Sequence, residues 1–156
     1  MITLGWTIAA VFWVLSVWTA AVARWISTGN HNELANLMGG ADSPRWRSLS
    51  TRLNNAGETL RFKTLVFEVI FLMAWLWAWV QTAEPGWLAG DVAVPVWPLV
   101  IGAIVAITLL WVGPIAISAA LARYVGASMT ARSGFILGWA ILGGTVIGWL
   151  PRFIDE

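Results

Sequence analysis

The sequence predicts an all-α integral membrane protein. It should have three to four transmembrane helices, with a short amphipathic cytoplasmic helical region between helices one and two. Three observations lead there. Of the 156 residues, 59% are hydrophobic and 11% charged, against about 25% charged in an average soluble domain. A soluble chain of this length has no interior able to hide so much apolar surface. The apolar residues come in runs near the ~20 needed to cross the hydrocarbon core. They do not form the alternating ~10-residue segments of a membrane barrel, so backbone polar groups must be satisfied inside helices. The chain reads as a single transmembrane domain, 1–156.

The first segment, about 3–26, is long enough to span and ends at Arg24. It lacks a basic leader and a small-residue cleavage pattern, and so reads as a retained helix rather than a cleaved signal. A polar stretch follows. In NHNELANLMGG, Asn30 or Asn32 can cap a helix, Leu34, Leu37 and Met38 share a face, and Gly39-Gly40 stops it. In DSPRWRSLSTRLNNAG, Ser43 is the cap and Pro44 the first helical residue, with Trp46, Leu49 and Leu53 on one side. Two short amphipathic helices, within about 31–56, are expected along the cytoplasmic surface or on the base of the bundle.

The second span covers about 63–82, between Lys63 and Glu84. The third covers about 92–112, with Pro95 and Pro98 in its first turns, where a missing N–H costs little. Gly113-Pro114 should kink or break it, with a continuation to 125. A fourth segment, GFILGWAILGGTVIGWL at 134–150, is shorter and glycine-rich, and Pro151 ends it. Gly134, Gly138, Gly144 and Gly148 form small-xxx-small pairs that let helices approach closely, within the chain or between chains.

Nine basic residues orient the chain. Arg24, Arg45, Arg47, Arg52, Arg61 and Lys63 flank the first long loop, and Arg123 and Arg132 follow the third span. The 83–91 loop has two acids and no base. The positive-inside rule therefore puts loop 27–62 in the cytoplasm and the N-terminus outside.

Composition excludes several chemistries. Cysteine is absent, which removes disulfides, iron–sulfur clusters and c-type haem. The only histidine, His31, lies in the polar loop, so no His-ligated haem or pigment is expected within the membrane. A net charge of +1 argues against a nucleic-acid partner. No Walker loop, HExxH or usable GxSxG occurs, and the chain does not read as an enzyme.

Glu68 is the only acid within a probable span. It is either a cation or proton site, or a local charge that snorkels or pairs with Arg61 or Lys63. Ser16 and Thr19 share a face of helix one. With Glu68 and the carbonyls freed at Gly113, they would make an oxygen-rich cation site, although Ser and Thr in spans also bond back to their own helix. Thirteen tryptophans stand out. Trp6, Trp25, Trp87, Trp97 and Trp149 fit an interfacial belt. Trp75 and Trp79 share one helix face, with Trp77 opposite.

The order of these parts resembles the transmembrane domain of the CorC/CNNM magnesium transporters. The resemblance rests on ELANLMGG…RWRSLSTRLNNAGETL, then TLVFEVIFLM opening helix two, then VGPIAISAALARYV closing helix three. It is a divergent likeness. Family members carry an acid late in helix one, asparagines in helix two, and a Gly-Glu…Pro-Lys pattern after helix three. Here SVWTAAVAR, Glu68 and Gly113-Pro114 stand in those places. The resemblance implies Mg2+ as the transported ion, a homodimer, and a site among helices one to three.

Three functional expectations follow. The first is a divergent divalent-cation transport domain using Glu68, Ser16, Thr19 and Gly113. The second is a non-catalytic structural or accessory subunit of a larger respiratory or photosynthetic membrane complex, with other membrane subunits as partners beside the lipid bilayer. The third is a small proton-coupled exporter using Glu68 and the indoles.

Overall fold

Three helices in the computed structural model are long and apolar enough to cross a membrane: Ile2–Thr28, Gly57–Ala83 and Val96–Gly126. The structure describes residues 2–29, 32, 35, 36, 39, 40, 42–50, 53–83 and 96–132. Helix α1 is Ile2–Thr28, α2 is Pro44–Ser50 and α3 is Leu53–Ala83. Helix α4, Val96–Leu110, runs through a π-helical stretch, Trp111–Ile117, into α5, Ser118–Arg132. No strand occurs among the described residues. The chain is thus an all-α membrane protein.

Helix α1 is the hub. It packs along α3 and against the π stretch and α5, while α3 also meets α4. Small residues make this possible, because Gly5, Ala9, Ser16, Thr19, Ala21 and Ala23 are all buried on α1. A Cβ on Gly5 would lie 2.6 Å from the Trp77 ring, so glycine there leaves the room that the indole fills. Ala9, Phe71 and Ala106 form the centre of the core, surrounded by Phe12, Trp13, Leu72, Trp75 and Leu109. The outer faces are just as apolar. Leu4, Val14, Leu65, Met73, Ile104 and Ile107 are exposed. Helices that are apolar all round suit a bilayer, whose hydrocarbon serves as their solvent.

Several expected boundaries shift for physical reasons. Helix α3 begins at Leu53, not near 63. Hydropathy marks where a helix enters lipid, not where hydrogen bonding starts, and LNNAGETLRF contains no proline to stop it. Its 31 residues extend ~46 Å, well past a hydrocarbon core of ~30 Å. Glycine at 57 faces Ile26, and a Cβ there would stand at a tolerable 3.4 Å. Of the kink or break expected at Gly113-Pro114, the break does not occur. The helix widens into the π register instead and continues to Arg132.

In the polar loop two local signals act as read, the Gly39-Gly40 stop and the Ser43 cap, while Asn30, Leu34, Leu37 and Met38 lie outside the described residues. Gly39 and Gly40 both have φ of 97°. The Gly40 N–H donates to Ala35 O at 2.8 Å and the Gly39 N–H to Asn36 O at 3.2 Å. Those two bonds are a Schellman stop, which the left-handed backbone of glycine allows. At α2 the Trp46 N–H donates to Ser43 Oγ at 3.2 Å, with Pro44 as the first helical residue. The fourth segment, 134–150, with Gly134, Gly138, Gly144 and Gly148, lies outside the described residues, as do Trp87, Trp149 and Thr145.

Candidate functional site: a polar slot between α1, α3 and the π stretch

The site begins with Pro114. Proline has no N–H, so it cannot serve the carbonyl four residues back in the α register or five back in the π register. The helix responds by widening, and the Ser118 N–H donates to Gly113 O across five residues. In the π register the carbonyl that loses its donor is Leu109. The indole Nε1 of Trp13, on α1, donates to that oxygen at 3.0 Å. The Trp13 ring can reach it because residue 113 is glycine, where a Cβ would stand 2.6 Å from Cε2 of the indole. The Ser118 hydroxyl turns back to Pro114 O.

Beside this turn lies a slot of about 300 Å³. Helix α3 contributes Arg61, Thr64 and Glu68. Helix α1 contributes Arg24 and Ser27, and the π stretch contributes Pro114 and Ile115. Helical spacing explains the α3 trio, since positions three and four apart share a face. The α1–α3 contact is pinned one step deeper. Thr64 Oγ1 lies 2.8 Å from both Thr19 Oγ1 and Leu60 O. Its single proton goes to one or the other. Thr19 itself donates to Leu15 O at 2.8 Å.

Arg24 Nη1 donates to Ile115 O at 3.4 Å, a long bond. Glu68 is half-buried, and neither it nor Arg61 forms a hydrogen bond or ion pair with another described residue. Seven residues separate Arg61 from Glu68, or about 10 Å along the axis. Along α3 the slot therefore runs from a basic end, at Arg61, to an acidic end, at Glu68. Among the described residues, no three Asp, Glu, His or Cys side chains gather where they could share a metal.

Of the four residues expected to form the cation site, Glu68 lines the slot. Ser16, Thr19 and Gly113 do not. Ser16 donates to Trp13 O at 2.7 Å, Thr19 reaches the slot only through Thr64, and Gly113 lies under the Trp13 ring. Thr7 and Thr108 likewise donate to their own helix. Sequence reasoning missed Thr64 and the presence of Arg24 and Arg61 in one slot. The i, i+4 spacing of Thr64 and Glu68 was a readable signal. The sharing of a slot by Arg24 and Arg61 was not, because it depends on the register of α1 against α3.

Among the described residues, several tryptophans serve packing. Trp6 meets Trp75 edge-on, with ring centroids 4.9 Å apart, and Trp75 stacks on Trp79 at 5.9 Å. Trp75 Nε1 donates to Gly102 O at 3.1 Å. Trp77, on the other side of α3, packs over Gly5. Trp25 does not belong to an interfacial belt. It is 5% exposed and pressed against Gly126 of α5. Trp97 is 76% exposed and borders an apolar cleft of about 420 Å³ with Trp6, Trp79 and Ile101.

No protein-family model matches the chain, and no curated protein or solved structure matches it.

Proposed function

We propose that the chain is a membrane transport domain in which Glu68 is the cation-responsive group. One observation carries this reading: a half-buried carboxylate on a membrane-spanning helix opens into a polar slot and has no partner among the described residues. Charge in hydrocarbon costs at least ~2.5 kcal/mol, so an acid kept there needs a compensating ion or proton. The adjacent π stretch supports the reading, because such stretches recur at functional sites. Among the described residues that line the slot, the side-chain groups able to ligate a cation are oxygens, which suits a hard cation rather than a soft metal.

The charge layout constrains where a cation would sit. Arg24 and Arg61 oppose a bare divalent ion at the basic end, so the cation position is the Glu68 end. One carboxylate is few for a divalent ion. Mg2+ would keep several waters there, as it commonly does. The CorC/CNNM-like layout adds Mg2+ as cargo and a homodimer as the assembly. The basic loops add an orientation with 27–62 in the cytoplasm and the N-terminus outside. In proteoliposomes, the parent protein should carry Mg2+ flux and Glu68→Ala should abolish it. Equal flux in both would sink the proposal.

A second reading is favoured by a different observation. Trp97 and Trp111 are 76% and 62% exposed on broadly apolar faces. An accessory subunit of a larger membrane complex would cover such indoles with neighbouring subunits. Extraction of the native protein in mild detergent distinguishes the two readings. Co-purification with larger subunits favours the accessory role, and an isolated homodimer favours the transport domain.

A further inference from the structure

The basic end of the slot has a role that cation transport does not use. The geometry points to a binding site there for the phosphate of an anionic phospholipid, held between Arg24 and Arg61. This inference stands independently of the transport reading.

Two guanidiniums from different helices line one slot, with Thr64 and Ser27 hydroxyls beside them. Guanidinium groups present fixed forks of donors that match phosphate oxygens. Neither is committed elsewhere. Arg61 makes no bond to a described residue, and Arg24 makes only the 3.4 Å contact to Ile115 O. Arg24 lies in the last turns of α1. The slot's basic end therefore falls near a membrane–water interface, where headgroups lie. Basic pockets between helices at that level bind anionic headgroups.

Apolar flanks identify the phosphate as a lipid's. Ile115 lines the slot and is 50% exposed, and Phe62 and Leu65, next to Arg61 and Thr64 in α3, are 48% and 58% exposed. They offer acyl chains a surface continuous with the headgroup position. Glu68 would repel an anion, but it lies about 10 Å further along α3 than Arg61. The phosphate and the carboxylate thus occupy opposite ends.

The test uses the full chain in detergent, with native mass spectrometry and thermal melting as readouts. The probes are phosphatidylglycerol, phosphatidylcholine with the same acyl chains, and inorganic phosphate. Phosphatidylglycerol should be retained as a discrete adduct and raise the melting temperature, with phosphatidylcholine at least tenfold weaker. Arg24→Gln/Arg61→Gln should reduce the preference at least tenfold, while Arg123→Gln, outside the slot, should leave it unchanged. Arg61→Gln alone serves if the double variant does not fold, since the described residues give Arg61 no structural bond. Equal binding of both lipids would overturn the inference, as would a preference untouched by the arginine variants. A matching stabilisation by inorganic phosphate alone would also overturn it, by showing a site for soluble anions.

Discussion

Trp13 makes the sharpest case at the scale of single residues. Its indole fills the space that glycine leaves at position 113 and donates to the Leu109 carbonyl. Trp13→Phe keeps most of the packing and loses the donor. It should cost ~1 kcal/mol, the usual net value of one hydrogen bond, read as reversible unfolding in detergent micelles. Gly113→Val has no such room. Its Cβ would collide with the ring, and overpacking of this kind costs ~1–3 kcal/mol. In the background of Gly113→Val, the Trp13→Phe penalty should shrink, because the indole has already been displaced. Purely additive costs would mean that the ring and the glycine do not share one site.

At the scale of elements, Pro114 decides the shape of the third span. An α-helix with a missing N–H has to kink, break or change register. This one changes register, and the Trp13 indole supplies a donor from a neighbouring helix. Pro114→Ala restores the backbone N–H, so Trp13→Phe should cost measurably less in that background. An unchanged penalty would show that the Trp13 bond is unrelated to the proline. The helices themselves were legible in the sequence, because long apolar runs can become little else in a membrane. So were the Gly39-Gly40 stop and the Ser43 cap, which act through neighbours in the chain. The start of α3 was not, since hydropathy follows solvent rather than hydrogen bonding. Neither was the fate of Gly113-Pro114, which depends on a tryptophan a hundred residues earlier in the chain.

At the scale of the whole molecule, three helices are long and apolar enough to cross a membrane. Full crossing by each predicts that Ser50 and Ala83 face opposite sides. Single cysteines placed at Ser50 and at Ala83 should therefore label from opposite faces of sealed vesicles. The charge map further predicts that Ser50→Cys labels from the cytoplasmic face. Labelling of both from the same face would contradict the crossing pattern. The slot was half visible in the sequence. Glu68 stood out as the lone acid in a span, while Thr64, one turn earlier on the same helix face, was missed although its spacing was readable. The arginines that share the slot were hidden by the pairing of α1 with α3, which one sequence does not encode in any local pattern. Ser16, Thr19 and Gly113 were expected to join Glu68 in a cation site, but they do not line the slot. The proposed transport function therefore rests on one carboxylate. Its most direct test is ion flux in proteoliposomes, comparing the parent chain with Glu68→Ala and Glu68→Gln, each shown to be folded by its melting transition. The prediction is Mg2+ flux in the parent and background flux in both variants. Undiminished flux in either variant, or none in the parent, would contradict it.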